Sequence, residues 1–166
     1  MSDVLKILND NQISQKILRL SWQVYEDNFS EKEITLVGIG DQGLLIAEQV
    51  KIHLNTISKL KTSVLKINVD RDKPFNKVNP ELPKNEYSNK VIILIDDVLH
   101  SGKTLTYAFK NFLDTSIKKM AVLVLIDRNH NSFPVKANYV GLSLSTTLKE
   151  YIEVVLKGKN KGVYLS

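Results

Sequence analysis

The sequence predicts an α/β fold, with a mostly parallel, twisted sheet that is flanked by helices. Apolar runs of strand length alternate along the chain with segments whose apolar residues recur at helical spacing, and this alternation is typical of parallel α/β sheets. The run at residues 90–95 is nearly continuous in β-branched residues, as in a strand that is covered on both faces. The chain has 166 residues, of which 43% are hydrophobic and 25% are charged, so we expect residues 1–166 to form one domain.

The first part of the chain predicts two helices and two strands. Ile13, Ile17 and Leu20 recur at the spacing of one helix face, and the short apolar run that ends at Gly38 and Gly40 is typical of a buried strand. In order, the predicted elements are a helix at residues 11–28, a strand at 33–39, a helix at 43–55 and a strand at 63–69.

A polar segment at residues 70–89 interrupts this pattern. It holds three of the four prolines, many charged residues and few aliphatic ones. A polar stretch of about 20 residues inside a compact domain is typical of a functional lid or a disordered excursion. Because such a composition buries little apolar surface, we expect residues 70–89 to be mobile without a ligand.

The second part of the chain returns to alternating strands and helices. The predicted elements are a strand at residues 90–95, a helix at 105–113, a strand at 119–126 and short strands at 139–142, 151–156 and 163–165. Ligands of parallel α/β sheets bind at the carboxyl edge, where the strands end. The loops at residues 38–43, 96–104 and 127–134 leave that edge, so we expect the functional residues there.

Composition excludes several classes of function. The chain has no cysteine, which excludes disulfides, thiolate metal sites and cysteine nucleophiles. It has no apolar run of about 18 residues, and Asp3, Lys6 and Asp10 lie where a signal peptide would be apolar. We therefore expect a cytoplasmic protein with no membrane partner. The formal net charge of +5 suits a phosphate-rich ligand or a nucleic acid.

The most informative segment is a strand followed by a loop rich in hydroxyl groups. It reads Val91-Ile-Ile-Leu-Ile-Asp96-Asp97-Val-Leu-His100-Ser101-Gly102-Lys103-Thr104. Backbone N–H groups at the start of the following helix, with the Ser101 and Thr104 hydroxyls, can surround a phosphate, and Gly102 lets the backbone approach it closely. Two adjacent carboxylates at a strand end are unfavourable unless they bind hydroxyl groups or a cation. The segment therefore predicts an anion site beside an acidic pair.

Two other interpretations fit parts of this segment. Gly102-Lys103-Thr104 also occurs in Walker-type phosphate loops, but those loops need a glycine five positions before Gly102, where this chain has Asp97. Alternatively, Asp97 and Ser101 act only as caps of the loop and the helix. The full string is more specific than either residue alone, and it favours a ligand site.

This string resembles the 5-phosphoribosyl 1-diphosphate (PRPP) binding motif of type I phosphoribosyltransferases. The other matching segments are the opening helix, Leu36-Val-Gly-Ile-Gly-Asp-Gln-Gly43, Asp70-Arg71-Asp72, the stretch from Val124 to Pro134, and Ala137-Asn-Tyr-Val-Gly141. They follow in the order of the PyrR-type members, which are bacterial regulators of pyrimidine operons with uracil phosphoribosyltransferase activity. The resemblance implies the fold of this family, with residues 70–89 as a flexible hood.

The resemblance also implies roles for individual residues. Asp96 and Asp97 would hold the ribose hydroxyls, and Arg71 would contact the pyrophosphate. The predicted PRPP ligands are Val98, Leu99, Ser101, Gly102, Lys103 and Thr104 at the 5′-phosphate, and Gly40, Asp41, Gln42 and Gly43 at the pyrophosphate. The predicted base contacts are Arg128, Tyr139 and Val140. Mg²⁺ would bridge oxygens of PRPP rather than occupy a cage of protein ligands.

Three positions in two loops depart from the PyrR-type pattern. His100 replaces the usual tyrosine, and it could accept the proton of the base near neutral pH or serve as a further anion ligand. Asp41 and Gln42 replace the usual Thr-Arg pair of the pyrophosphate loop. The missing cation and the added carboxylate predict weaker binding of pyrophosphate.

The leading hypothesis is an enzyme of nucleotide salvage that transfers phosphoribose from PRPP to a nucleobase, with uracil as the first candidate. The alternatives are an RNA-binding regulator of pyrimidine genes and a purine phosphoribosyltransferase, the second suggested by His100. Arg19 matches a basic position on the first helix of the regulators, whereas Leu18 and Trp22 replace polar ones, so RNA is the less favoured partner. The resemblance further implies a homodimer or homotetramer.

Overall fold

The computed structural model describes residues 4–76 and 82–166. In chain order, the elements are β1 (Leu5–Asn9), α1 (Asp10–Asn28), β2 (Glu33–Ile39), α2 (Gly40–Ile57), β3 (Lys61–Ile67), β4 (Val91–Leu99), α3 (Lys103–Phe109), β5 (Lys119–Asp127), β6 (Tyr139–Ser143), β7 (Ile152–Val155) and β8 (Gly162–Leu165). Short 3-10 helices lie at Lys84–Glu86 and Lys110–Phe112. None of the helices in this described part combines the length and apolar character needed to cross a membrane.

The central layer is a parallel sheet of five strands in the order β3-β2-β4-β5-β6. Gly38 of β2 lies opposite Ile95 of β4, so these two strands end at the same edge of the sheet. Ile93 and Leu94 of β4 are fully buried, because α1 and α2 pack on one face of the sheet and α3 packs on the other. The predicted α/β fold with a mostly parallel sheet is confirmed.

A second, antiparallel sheet has three strands in the order β1-β8-β7. Leu165 of β8 lies between Leu5 of β1 and Ile152 of β7. Leu8, Ile152 and Val163 are buried in the apolar core that also contains residues of α1 and α2. The sequence predicts β7 and β8 as short strands, but it does not predict β1.

The observed β4 is longer than the sequence predicts. It continues to Leu99 rather than ending at residue 95, because Val98 still pairs with Ile126 of β5. Asp96 and Asp97 therefore lie inside the strand rather than in the loop that follows it. Other boundaries differ by a few residues: α2 begins at residue 40, and α3 ends at residue 109, where a 3-10 turn replaces the end of the predicted helix.

The structure divides the predicted hood into two parts with different surroundings. Residues 70–76 form a bend and a turn, in which the Asp70 carboxylate accepts two backbone amides at 2.8 and 3.0 Å. In residues 82–89, the Tyr87 ring is buried, and its centroid lies 5.1 Å from that of Phe112. Residues 82–89 therefore bury apolar surface, contrary to the expectation for the whole segment. Residues 77–81 of the predicted hood lie outside the described residues.

Candidate functional site

The carboxyl ends of β2 and β4 open into a cavity of about 540 Å³. Its lining comes from four segments: residues 39–42, residues 68–71 with Pro74, residues 96–105, and residues 151–154. The cavity therefore lies at the sheet edge where the sequence predicts the ligand. It brings together Arg71, which is predicted to contact the pyrophosphate, the Asp96–Asp97 pair, which is predicted to hold the ribose, and His100.

Asp96 and Asp97 line this cavity from the end of β4. The Asp97 amide donates to the Asp96 carboxylate at 2.9 Å, and the Val98 amide donates to the Asp97 carboxylate at 2.8 Å. Burial, together with the negative charge of Asp97, raises the pKa of Asp96 well above its usual range, and the Arg71 guanidinium opposes this rise. Two adjacent carboxylates are unfavourable unless hydroxyl groups or a cation bind them, so this pair is suited to such a ligand.

The loop after β4 turns at Gly102 before α3 begins. Gly102 has a φ of +84°, in the left-handed region that glycine adopts without a steric penalty. A Cβ atom at this position would lie 3.2 Å from the Cβ of Val135 and 3.4 Å from that of Phe133. Ser101 Oγ accepts the Lys103 amide at 3.2 Å, but the N-cap of α3 is Gly102, and no side chain caps this helix. The interpretation of Ser101 as a helix cap is therefore wrong, and residues 98–104 all line the cavity.

Asp41 of the predicted pyrophosphate loop is paired with a lysine from the neighbouring strand. Its carboxylate lies 2.6 Å from Nζ of Lys66 on β3. The hydrogen bond and the positive charge of Lys66 lower the pKa of Asp41. The added carboxylate of this loop thus comes with a compensating cation, which the sequence alone does not place beside it.

Gln42 and Gly43 hold this loop in place rather than presenting a charge. Nε2 of Gln42 donates to the Val154 carbonyl of β7 at 3.0 Å, which connects the first turn of α2 to the antiparallel sheet. A Cβ atom at Gly43 would lie 2.5 Å from the Ile95 carbonyl oxygen, so this glycine allows α2 to pack closely on β4. Gly43 lies outside the cavity lining, whereas Gly40, with a φ of +66° and open space at its Cβ position, is part of it.

Arg71 lines the cavity from the turn that follows β3. Its side chain is exposed, and its positive charge opposes the rise in the pKa of Asp96 and contributes to the lowered pKa of His100. The charge of this arginine therefore reaches the acidic pair and the loop after β4, which lie on separate segments of the chain.

Arg128 lies behind His100 rather than in the cavity lining. The arginine is 7% exposed, and its Nη1 lies 2.6 Å from Nδ1 of His100. Its Nε donates to the Thr146 hydroxyl at 2.7 Å, and its Nη2 donates to the carbonyls of Thr147 and Glu150 at 2.9 and 2.7 Å. The expected direct contact of Arg128 with the base is therefore replaced by a contact with His100, which does line the cavity.

Tyr139 and Val140, the other predicted base contacts, lie away from the cavity on β6. Tyr139 is 3% exposed in the core that contains residues of α1, and burial raises its pKa. Arg19 of α1 donates to the carbonyls of Val140 and Gly141 at 3.1 and 2.7 Å. Tyr139 therefore packs on the face of the sheet that α1 covers, whereas the Val140 side chain packs on the opposite face, in the apolar cluster that contains residues of α3.

A family model of the phosphoribosyl transferase domain matches residues 3–156. The chain belongs to this family. It is accordingly a PRPP-dependent phosphoribosyltransferase, as the sequence predicts.

Individual relatives agree with this assignment. The chain is similar to the bifunctional protein PyrR of Caldicellulosiruptor bescii, with 32% identity over 94% of this chain and 90% of the relative. The bifunctional protein PyrR of Clostridium acetobutylicum is 34% identical over 92% of this chain and 90% of the relative. A solved hypoxanthine-guanine phosphoribosyltransferase from Bacillus anthracis shares the fold, with a TM-score of 0.75, 18% identity and coverage of 97% of this chain and 96% of that chain. The predicted family and its PyrR-type resemblance are confirmed.

Sequence reasoning missed the contribution of the antiparallel sheet to the cavity. Tyr151 and three residues of β7 line it, and Tyr151 is 55% exposed. The Tyr151 ring is inclined by only 19° to the His100 ring, with centroids 6.4 Å apart. An exposed aromatic ring at a cavity is suited to contact a planar base. The only sequence signal was an aromatic residue at the start of a predicted strand, and no motif connects it with the site.

Magnesium fits the cavity as a companion of a phosphorylated ligand. Within residues 4–76 and 82–166, no group of three or more acidic or histidine side chains is arranged to hold a metal ion. The Asp96 and Asp97 carboxylates nevertheless border the cavity, and Mg²⁺ is usually bound by one or two carboxylates together with substrate phosphates and water. The residues present therefore suit an ion that arrives with its ligand.

Proposed function

We propose that this phosphoribosyltransferase transfers 5-phosphoribose from PRPP to a nucleobase, with uracil as the first candidate, and releases pyrophosphate. The observation that carries the proposal is the meeting of the acidic pair, the Gly102 loop and Arg71 around one cavity. Its volume of about 540 Å³ is within the range of small-molecule sites, roughly 300–1,000 Å³. The similarity to curated PyrR proteins supports uracil as the first base to test.

In this proposal, each part of the cavity lining binds one part of the substrates. The carboxylates of Asp96 and Asp97 accept hydrogen bonds from the ribose hydroxyls, and residues 98, 99 and 101–104 hold the 5′-phosphate. Arg71 and the turn at Gly40 face the pyrophosphate. Tyr151 contacts the face of the base, because its exposed ring borders the cavity.

The reaction separates charge, and the proposed ligands oppose the cost of that separation. A ring nitrogen of the base bonds to the anomeric carbon and loses its proton to a pyrophosphate oxygen or to solvent. The anomeric C–O bond breaks, and the electron pair of that bond leaves with pyrophosphate. Arg71 compensates the negative charge that develops on pyrophosphate, and the acidic pair lies near a sugar that gains positive charge. Exclusion of water from the cavity would prevent wasteful hydrolysis of PRPP.

Mg²⁺ is part of this proposal as the ion that accompanies PRPP. When bound, it would neutralise part of the charge on the pyrophosphate oxygens, and Asp96 and Asp97 are the residues that would face it. Chelation of divalent cations before the assay should abolish turnover, and added Mg²⁺ should restore it. Full turnover in the presence of chelator would contradict this part of the proposal.

A panel of bases tests the proposed substrate. The protein is incubated with PRPP and Mg²⁺, and uracil, hypoxanthine, guanine, xanthine and orotate are offered separately while pyrophosphate release is measured. We expect the highest kcat/KM with uracil. Faster turnover of a purine would replace uracil by the purine alternative that His100 suggests, and no release with any base would overturn the proposed transfer.

A second candidate function is RNA binding. We consider it because the curated relatives are named bifunctional proteins. The structure gives this alternative little support on α1, since the Arg19 guanidinium already binds Gln23 and the backbone of β6. Leu18 and Trp22 are 40% and 45% exposed on the same helix. A gel-shift titration with the pyrimidine leader RNA of the same organism should show no UMP-dependent, salt-sensitive shift. Such a shift would establish the regulator.

The homodimer or homotetramer implied by the resemblance is retained as a proposal. The exposed apolar side chains of Leu18 and Trp22 on α1 offer a surface that a second copy could cover. Light scattering after size-exclusion chromatography should give at least twice the mass of 18.8 kDa. A Trp22→Lys variant should then shift the mass towards that of one chain.

A further inference from the structure

The contact between His100 and Arg128 determines where the imidazole carries its proton. Nη1 of Arg128 lies 2.6 Å from Nδ1 of His100. A guanidinium group has only donors and stays protonated in proteins, so Nδ1 must accept this hydrogen bond through its lone pair. A neutral ring bonded in this way carries its proton on Nε2.

Arg128 cannot easily turn away from this contact. The residue is 7% exposed, and three of its hydrogen bonds fix the orientation of the guanidinium plane. They reach the Thr146 hydroxyl and the carbonyls of Thr147 and Glu150, at 2.7, 2.9 and 2.7 Å. The arginine is therefore a fixed donor towards Nδ1.

The charges around His100 favour its neutral form. Burial and the positive charges of Arg128 and Arg71 lower the pKa of His100, and the negative charge of Asp97 only partly opposes them. Protonation would also place a proton on Nδ1, directly against the Arg128 donor. The ring is thus a neutral group with one free donor, because within residues 4–76 and 82–166 no protein group is hydrogen-bonded to Nε2.

We infer that His100 donates a hydrogen bond from Nε2 to an acceptor atom of the nucleobase, and that Arg128 is the positioning residue that fixes this tautomer. The inference rests on the proposed function, since it assigns a contact to the base in the same cavity. It reverses the expectation that His100 accepts the proton of the base, because neither ring nitrogen is left to accept one. The acceptor is a carbonyl oxygen or an unprotonated ring nitrogen.

The base rather than a phosphate is the partner of His100 because of its neighbours. The His100 ring lies nearly parallel to the Tyr151 ring, with an angle of 19° and centroids 6.4 Å apart. Arg128 binds the Glu150 carbonyl, directly before Tyr151, so one arginine positions both rings. Two rings oriented alike at one end of the cavity suit a planar ligand, whereas the Gly102 loop supplies the backbone groups for a phosphate.

Two substitutions of His100 distinguish a hydrogen-bond donor from a general base that accepts a proton. His100→Asn keeps an acceptor for Arg128 and a donor for the ligand, whereas His100→Asp keeps only acceptors. We expect His100→Asn to stay within about tenfold of the parent in kcat/KM for the base, and His100→Asp to lose about 100-fold, since a lost hydrogen bond and an unpaired partner cost roughly 1.5–3 kcal/mol. The loss should be seen in KM for the base. A more active His100→Asp would establish a general base and overturn the inference, and a loss confined to KM for PRPP would reassign the contact to a phosphate oxygen and overturn it equally.

The tautomer itself is measured without turnover. Long-range ¹H–¹⁵N spectra of the full chain distinguish the two nitrogens of each imidazole, and the His100 signals are those absent in His100→Asn. We expect a neutral ring with the proton on Nε2 at pH 7, and a titration midpoint below the value of about 6.5 for a free histidine. A proton on Nδ1, or a charged ring at pH 7, would overturn the inference while leaving the proposed transferase activity intact.

Substitution of the arginine tests its positioning role. Arg128→Gln removes the positive charge beside Nδ1, so it should raise the titration midpoint of His100 and shift the acid limb of the pH profile of kcat/KM towards higher pH, a change that a merely structural residue would not cause. If this variant fails to fold, Thr146→Val removes only the partner of Nε and should shift the His100 midpoint in the same direction by less. An unchanged His100 midpoint in a folded variant would contradict the role of Arg128. A parent protein that is inactive with every base would instead overturn the proposed function, and the tautomer would still be measured.

Discussion

The two sheets of this protein border the same cavity but are stabilised in different ways. The parallel sheet is covered on both faces, and β4 carries five consecutive fully or almost fully buried residues, 91–95, before its acidic pair. The antiparallel sheet has strands of four or five residues. Leu5 of β1 and Tyr151, directly before β7, are more than half exposed. Its links to the rest of the site include single hydrogen bonds, from Gln42 to β7 and from Arg128 to the residue before Tyr151.

This difference separates two tasks within one site. The groups proposed to bind the invariable part of the substrate, the phosphate and the ribose, extend from the rigid parallel sheet. Of the groups proposed to contact the base, Tyr151 directly precedes β7 of the antiparallel sheet. His100 lies in the loop after β4, and Arg128 connects it to the residue before Tyr151. Substitutions in the first region should therefore abolish PRPP binding, while those in the second should alter the use of the base.

The largest effect is expected for Gly102→Val. A valine with a φ of +84° would be strained and would lie 3.2 Å from Val135. We expect PRPP affinity, measured by titration calorimetry, to fall by at least about 100-fold, since each hydrogen bond to a charged group contributes roughly 1.5–3 kcal/mol. Gly158→Val, in the loop between β7 and β8, is the matched control, because Gly158 has a φ of +83° and no atom within 4 Å of its Cβ position. Equal loss of PRPP affinity in both variants would remove the distinction between the sheets.

The acidic pair should give the next largest effect. Asp97→Asn and Asp96→Asn are each expected to lower kcat/KM for PRPP by about 10- to 100-fold, because each removes a charged acceptor of a ribose hydroxyl. The fold should be retained, as judged by cooperative thermal unfolding. Unchanged steady-state kinetics in both variants would exclude ribose binding by the pair.

Ionisation of Asp96 should also make the stability of the fold depend on pH. Its pKa is raised in the folded state by burial and by Asp97, so its favourable contribution is fully present below the unfolded value near 3.8 and is lost as pH rises through the raised pKa. Asp96→Asn does not ionise. We therefore expect the Tm of this variant, relative to the parent, to increase as pH rises from 4 to 7. A Tm difference that stays constant over this interval would contradict the raised pKa.

Gln42→Ala should have a smaller effect, on the use of the base, because Gln42 contacts the antiparallel sheet. It removes the hydrogen bond from α2 to the Val154 carbonyl, a loss of about 1 kcal/mol or roughly fivefold. We expect this loss in KM for the base, with PRPP affinity almost unchanged in titration calorimetry. Gln49→Ala, on the same helix, is the control that should leave both values as in the parent. A fall in PRPP affinity alone would indicate that Gln42 serves the pyrophosphate instead.

The smallest effect is expected for Asp41→Asn. Removal of the exposed carboxylate frees the Lys66 cation beside the pyrophosphate loop, so pyrophosphate inhibition should strengthen by about two- to threefold at low salt. The gain should disappear at high ionic strength. Asp10→Asn breaks another exposed pair, with Lys161, and should leave inhibition unchanged. Weaker inhibition by pyrophosphate in Asp41→Asn would show that the carboxylate contributes to the site in another way.

The parallel sheet was predictable because its strands carry a continuous apolar signal. β2 was predicted with its observed bounds, since a strand that is buried on both faces has consecutive apolar residues. β4 was predicted too short because Asp96 and Asp97 end the apolar run while the hydrogen-bonded ladder continues to Leu99. β1 was missed because its five residues are mostly exposed and pair only with a strand at the far end of the chain.

The site residues were predictable where one sequence motif determines both which residues bind the ligand and where they lie in the fold. The β4 loop is such a case, because strand, acids and glycine follow one another directly. Tyr151 was missed and Tyr139 misplaced for one reason: the side of a strand on which a residue lies depends on its neighbours in the sheet, which no local pattern contains. The shielding of Nδ1 of His100 by Arg128 likewise depends on a contact between two loops.

The pairing of β8 with both β1 and β7 has a consequence for the order of synthesis. Leu5 lies opposite Leu165, so β1 is synthesised before the other strands in the described part of the chain and its partner is synthesised after them. The strands of the parallel sheet, up to β6, are all made before that partner exists. Contacts this distant along the chain form late, because closing a long loop costs entropy before any contact repays it. In a nascent chain that lacks β8, we therefore expect the parallel sheet and its proposed phosphate-binding loop to be folded. The strand β7, which follows Tyr151, would still have no neighbour in its sheet.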